Sequence, residues 1–336
     1  MSRYIIIGAG AVGGTIGARL FESGHDVVLV ARGEHLSVLR GRGLKFLTPE
    51  TESILAVPAV GGPEELTPSP DDVLILATKT QHSEAALEPW TGYAHPQAGQ
   101  PPIILAQNGV ANEPLALRRY PRVYGASVWL PAIHLEPGVV EAQKTPVTGI
   151  LHLGRYPEGA DDFIRGVAAD LEKSKFHAPA SEAVMRWKYA KLLGNLASAV
   201  EALTGDIEAK QAQELVGRAR AEGVAVLEAA GIGYASKEEQ APYWELLQGK
   251  QAHKGLGRPG GSSWQSLARQ SGSVESDYIN GEIVLLGRLH GVPTPVNEAV
   301  QLQVKISALN RRPPGSLSIA ELNEQVEAGI KASQQR

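Results

Sequence analysis

The chain has 336 residues, 43% of them hydrophobic and 20% charged, with a net charge of −4 and no cysteine. That length suits two domains of ordinary size, and the composition is that of a common soluble enzyme. It excludes a bulk basic field for nucleic acid, disulfides, thiolate zinc sites and thiol catalysis.

The chain opens on an apolar run, Tyr4, Ile5, Ile6 and Ile7, that leads into Gly8-Ala9-Gly10-Ala11-Val12-Gly13. A strand, three spaced glycines and a helix are what a dinucleotide pyrophosphate needs. The first glycine permits the tight turn, the second lets backbone N–H groups reach the phosphates, and the third lets the helix press on the strand. Val12, Ile16 and Leu20 recur every four residues on one helix face, and Gly24 offers a left-handed stop. Residues 26–31 (DVVLVA) read as the next buried parallel strand, which completes a βαβ unit. That strand ends in Arg32, where an NAD site would carry Asp or Glu. A forked cation there suits a 2′-phosphate, so NADP(H) is expected; Glu34 keeps NAD(H) as the alternative.

Strand patterns follow at residues 56–60, 72–79, 102–109 and 122–132, and residues 139–154 read as a hairpin broken near Thr145-Pro146. Helical stretches at 83–87, 113–119 and 161–173 lie between or after them, and 176–180 is a last extended piece. This alternation predicts an α/β fold, a Rossmann-type doubly wound parallel sheet spanning residues 1–180. From 181 to 336 strand signals nearly vanish. Residues 182–204, 211–230, 237–248, 262–270, 274–289 and 298–310 all read as helices, an all-helical C-terminal domain. A cleft at the joint is the expected place for substrate. Residues 253–261 (HKGLGRPGG) are glycine-dense and expected to be mobile, although the sequence does not say whether they close as a lid, and the polar tail beyond Gly329 is expected to fray.

No signal peptide precedes the first strand and no run is long enough to span a bilayer, so a cytoplasmic protein is expected, with neither membrane nor nucleic acid as partner. The nine histidines lack any HExxH-like spacing, so no metal site is expected.

Ligands of open α/β sheets bind beyond the carboxyl ends of the strands. Lys79 and Asn108 follow two such ends and are candidates for touching cofactor or substrate. Lys191 and Asn195, four apart, share a helix face. A lysine in a dry cleft can protonate a carbonyl oxygen, although spacing alone favours a solvated lysine beside an amide. Ser262-Ser263-Trp264-Gln265 fits a capping box with Ser262 as the cap, which leaves the Ser263 hydroxyl for an anion or for nothing. Glu275 and Asp277 could complement a helix dipole or hold a substrate hydroxyl; spacing does not choose.

Taken in order, these pieces resemble the 2-dehydropantoate 2-reductase (ketopantoate reductase) family over nearly the whole chain. The matching residues are Gly8–Gly13, Arg32, Lys79, Gln107-Asn108-Gly109, Trp187…Lys191…Asn195, Ser262-Ser263, Glu275-x-Asp277-Tyr278-Ile279-Asn280-Gly281 and the run from His290 to Asn297. The resemblance implies NADPH-dependent reduction of a 2-keto acid. It makes Lys191 the proton donor and Glu275 the contact to the substrate hydroxyl, with Asn108, Asn195 and Ser263 orienting substrate and cofactor. Gly8, Gly10, Ala11, Val12, Gly13, Arg32, Lys79 and Asn108 become the cofactor-binding set, and a homodimer is possible. Two positions depart from the family pattern: Ala199 and Gly260 stand where asparagine is usual. Losing two polar contacts of about 1 kcal/mol each can shift specificity without ending the chemistry. A different 2-keto acid or an imine is therefore one alternative, and a catalytically idle NADP-binding sensor is another.

Overall fold

The computed structural model describes residues 2–248 and 260–334. In chain order its strands and α-helices begin β1 (Arg3–Ile7), α1 (Ala11–Glu22), β2 (Asp26–Val30), α2 (Gly33–Arg42), β3 (Leu44–Leu47), β4 (Glu52–Leu55), β5 (Ala59–Val60), β6 (Asp72–Leu76), α3 (Ser83–Leu87), β7 (Ile103–Leu105), α4 (Asn112–Leu117) and β8 (Val123–Trp129). They continue with β9 (Ala132–Ile133), β10 (Val139–Ala142), β11 (Gly149–Arg155), α5 (Asp162–Lys173), β12 (Phe176–His177), α6 (Val184–Asn195), α7 (Ala197–Thr204), α8 (Lys210–Ala229) and α9 (Lys237–Leu246). The last four are α10 (Ser262–Ala268), α11 (Asn280–His290), α12 (Pro295–Leu309) and α13 (Ile319–Gln334). Two compact units emerge. The first runs to Lys188 and regains the chain from Ala235; the second holds Tyr189–Tyr234 and the described residues from Gly260 onward.

The first unit is built on an eight-stranded sheet ordered β12-β11-β8-β7-β6-β1-β2-β5. The six strands from β5 to β8 are all parallel, and counted along the chain they run 3-2-1-4-5-6, the dinucleotide-binding order. Continuous apolar strands make this possible, because both faces are covered. Along β1, Tyr4 and Ile6 enter one core with Val27, Leu29 and Ile75, while Ile5 and Ile7 enter the other with Val28, Val30 and Leu74. β11 lies antiparallel to β8, the one reversal in this sheet.

A second, four-stranded sheet, β4-β3-β10-β9, covers α1 and was not foreseen. It corrects the expected hairpin over residues 139–154: β10 pairs with β3 and β9, whereas β11 pairs with β8 and β12, so the two strands never meet. Residues beyond 181 are also not wholly separate. Helix α9 belongs to the first unit, held by aromatic rings. Tyr243 meets the edges of His152 at 4.5 Å and Trp187 at 5.1 Å, and Trp244 lies 4.4 Å from Trp129. His152 is stacked on Trp187 at 3.8 Å, is 1% exposed, and has no hydrogen-bond partner on either ring nitrogen. Burial pushes its pKa down to about 3.

The second unit is helical, around Val200, Leu203, Leu215, Val216, Leu267, Val300 and Val304. The expected helix over 182–204 is two helices meeting at Leu196. The expected helix over 274–289 is a 3₁₀ turn, Glu275–Tyr278, then α11. Contacts to α12 fix that break: Gln301 and Lys305 hold Asp277 at 2.8 and 2.7 Å, and the amide of Asn280 donates to Asn297. Among the described residues the chain beyond Gly329 continues in α13 to Gln334, a helix whose earlier turns bury Leu322 and Val326. Most of the glycine-dense segment expected to be mobile, 253–261, lies outside the described residues. Among the described residues no helix is long and apolar enough to cross a membrane, and no cluster of metal-ligating side chains occurs.

Candidate functional site

In the first unit the carboxyl ends of β2, β1, β6 and β7 lie side by side, with Val30 beside Ile7, Ile7 beside Leu76 and Leu76 beside Leu105. Arg32, Gly8, Lys79 and Asn108 follow these four ends in the same order. Topology therefore brings all the predicted cofactor residues of this unit to one edge.

The glycine turn is closed on two sides and open on the third. Gly8 sits at φ +101°, and a Cβ there would come within 2.8 Å of Thr78 Cγ2 and 3.0 Å of its nitrogen. A Cβ on Gly13 would run into the Gly8 carbonyl oxygen and come 2.9 Å from Ala77 Cβ and from Ile6 Cγ2. At Gly10 the nearest atom to such a carbon is His134 Cδ2 at 3.9 Å. Gly8 and Gly13 are thus required by the protein's own packing, whereas Gly10 leaves room for something else. Helix α1 starts here with Gly10 as its cap and no side chain bonded to its first N–H groups. Those groups, beginning at Ala11, Val12 and Gly13, and the positive helix end favour a phosphate. The residues present fit a dinucleotide.

Arg32 caps α2, is exposed, and among the described residues carries no ion pair; Glu34, in the first turn of α2, is exposed as well. Lys79 and Asn108 are half-buried. The Asn108 carbonyl accepts from Thr80 Oγ1 at 3.4 Å. Below Asn108 lies a polar network that the sequence reading missed. Gln107 Nε2 donates to the Thr78 carbonyl at 2.7 Å and to Ser83 Oγ at 2.8 Å, Ser83 donates to Asn112, and Asn112 donates to Thr80. Lys188 closes it from α6. Its ammonium is 2.5 Å from Glu113 and donates to the carbonyl of Gln107 at 3.0 Å, with both charged side chains buried. A lysine reads as a surface residue in one dimension; only a buried glutamate far along the chain reveals otherwise.

In the second unit, Lys191 and Asn195 occupy the last turns of α6, where the Arg220 guanidinium donates to the carbonyls of Leu193 and Gly194. Lys191 is half-buried, and desolvation lowers its ammonium to about 8. Ser263 is buried in the first turn of α10. The capping box predicted there does not form. Gly261 is the cap, and its N–H is taken at 3.0 Å by Glu201 from α7, sixty residues earlier. Glu275 is 7% exposed at the start of its 3₁₀ turn, whereas Asp277 is committed to Lys305. The two departures from the family pattern have packing consequences. Ala199 is buried in the helical core, and a side chain at Gly260 would run into the Trp264 ring.

Comparison with known proteins gives a consistent result. The family model described as "Ketopantoate reductase PanE/ApbA" matches residues 4–158, and its C-terminal counterpart matches residues 183–307. A 2-dehydropantoate 2-reductase of Pyrococcus horikoshii is 26% identical over 320 residues, covering 90% of this chain and 96% of the relative. Among solved structures, D-mandelate dehydrogenase with NADH and anilino(oxo)acetate superposes with a TM-score of 0.77 at 22% identity, covering 93% of this chain and 99% of that one. A dimeric ketopantoate reductase from Staphylococcus aureus superposes at 0.67 with 21% identity, covering 93% of this chain and 100% of that one.

Proposed function

We propose, because this chain belongs to the ketopantoate reductase family, that it uses NADPH to reduce a small branched 2-keto acid, 2-dehydropantoate to pantoate first among them. The family is one of NAD(P)-dependent reductases, and the chain is an oxidoreductase acting on CH–OH groups. The proposed cofactor-binding glycines, Arg32, Lys79 and Asn108 lie in the first unit, and Lys191 lies in the second. A reduced nicotinamide dinucleotide, held by its pyrophosphate at the glycine turn, would supply the hydride.

The residues of this chain do the rest. Gly10 and the start of α1 receive the pyrophosphate, and Arg32 takes the 2′-phosphate. Lys191 supplies the proton to the substrate oxygen and stabilises its developing negative charge. Glu275 holds a substrate hydroxyl, and Asn108, Asn195 and Ser263 orient the reactants. The observation that carries the reading is the family match over residues 4–158 and 183–307, and the desolvation of Lys191 supports the role given to it. At about 8, its ammonium is mostly present at neutral pH and releases its proton more readily than a free lysine does. The enzyme works in the cytoplasm as a homodimer, an assembly supported by the dimeric Staphylococcus aureus relative.

A second reading rests on Trp264. An indole beside Gly260, in place of the usual amide, favours a more apolar 2-keto acid. Purified protein with NADPH, or with NADH, and a panel of branched and aromatic 2-keto acids tests both readings through nicotinamide absorbance. Preference for 2-dehydropantoate supports the first, and preference for an apolar acid the second. Turnover only with added ammonia would point to an imine. Cofactor binding without any turnover would overturn the substrate assignment. Light scattering at micromolar concentration decides the dimer.

A further inference from the structure

Helix α2 has Leu39 as its one fully buried residue, and Leu36, in its first turn, packs half-buried against the core. That turn is tied down by His35. The imidazole Nδ1 accepts the Gly138 N–H at 2.8 Å, and Nε2 lies 2.8 Å from the carbonyl oxygen of Ala9. Because Nδ1 is occupied as an acceptor, the proton must sit on Nε2, which donates to Ala9. One neutral tautomer satisfies both partners. Burial lowers the pKa of the ring, in keeping with a neutral imidazole. The ring lies 4.6 Å from His134, whose Nδ1 is 2.9 Å from the Val139 carbonyl, and Gly138 holds φ +77° with Val38 against its Cα. The partner loop is therefore itself fixed.

The Ala9 carbonyl belongs to the same planar trans peptide as the Gly10 N–H. Holding the oxygen on one side aims the N–H to the other. Gly10 is the turn residue with open space beside it, and Arg32 stands three residues before His35 on the same tied-down turn. We infer that His35 is a positioning residue for the nicotinamide dinucleotide: through Ala9 it aims the Gly10 amide at the pyrophosphate, and through α2 it fixes the backbone that presents Arg32. This rests on the reading of the glycine turn as the cofactor site.

The test is NADPH titration of the full-length protein by nucleotide fluorescence, with steady-state kinetics alongside, for wild type, His35→Ala and His35→Gln. Loss of one such hydrogen bond predicts NADPH binding weaker by about fivefold to tenfold in His35→Ala. KM for NADPH should rise in step, with kcat and KM for the keto acid within about twofold of the parent. His35→Gln, whose carboxamide can both donate and accept, should recover most of the loss. If His35→Ala does not fold, His35→Asn, polar but one methylene shorter, should show the same weakening. A folded Ala or Asn variant with unchanged NADPH affinity overturns the inference, as does a Gln variant no better than Ala. Wild-type protein that binds neither NADPH nor NADH overturns the cofactor reading itself, and the role of His35 with it.

Discussion

The glycine turn and the Lys191 region are assembled in opposite ways. The turn is made by six consecutive residues whose neighbours are Ile6 of β1 and Ala77 and Thr78, which directly follow the adjacent strand β6. Its demands are steric, and each glycine answers a stated one. In the helical unit, Lys191, Asn195, Ser263 and Glu275 come from separate segments, α6, α10 and a 3₁₀ turn. Nothing local forces any of them. The contrast teaches that a backbone requirement is written into residue type and spacing, whereas a chemical requirement is met by whatever the tertiary fold delivers.

Substitutions can break or sharpen this contrast. On the proposed role of Lys191 as proton donor, which would act in the chemical step, Lys191→Ala should lower kcat by about 10²–10⁴ while NADPH affinity stays within about twofold. An unchanged kcat would remove Lys191 from the chemistry. Lys188, three residues earlier, should behave differently. Lys188→Met leaves Glu113 buried and unpaired, so stability by chemical denaturation should fall by about 3–5 kcal/mol. In the turn, Gly13→Ala overpacks a filled space and should cost about 1–3 kcal/mol of stability. Gly10→Ala should leave the melting temperature nearly unchanged yet weaken NADPH binding, because an added Cβ meets no protein atom closer than 3.9 Å there and would fill the space proposed for the pyrophosphate. Equal effects at the two glycines would contradict the geometry. Arg32→Glu should shift preference from NADPH toward NADH by roughly tenfold in kcat/KM, about 1.4 kcal/mol. The smallest effect is graded with pH. The donor form of Lys191 predominates below its pKa of about 8 and is lost above it. The kcat/KM for keto-acid reduction should hold below that pH and fall as it rises further, measured under saturating NADPH.

The same division explains what could be read in one dimension. Ile5, Ile6 and Ile7, the glycine spacing and the run Val27–Val30 lead directly to β1, α1 and β2, because parallel strands buried on both faces must be continuously apolar. The second sheet is invisible by comparison. Its strands are short, and β3 pairs with β10, which lies about ninety residues later. The Ser262 capping box has a sound local pattern, but Glu201 takes the Gly261 N–H instead, and no window of sequence contains both. Ser236 and Glu239 do form such a box on α9, even though the distant Arg186 also pairs with Glu239. Lys191 and Glu275 stood out only through the family pattern. Lys188, Glu113 and His35 did not stand out, because their roles depend on partners far away in the chain.

The aromatic cluster around His152 makes this protein sensitive to acid. An unfolded chain takes up a proton on that imidazole near pH 6.5, whereas the stacked ring resists until about 3. Between those values the denatured state is favoured progressively, by roughly 1 kcal/mol for each pH unit of descent. His152→Phe keeps a ring against Trp187 and removes the ionisation. It should flatten the fall in melting temperature between pH 6.5 and 4 by the share that this one imidazole without a polar partner contributes.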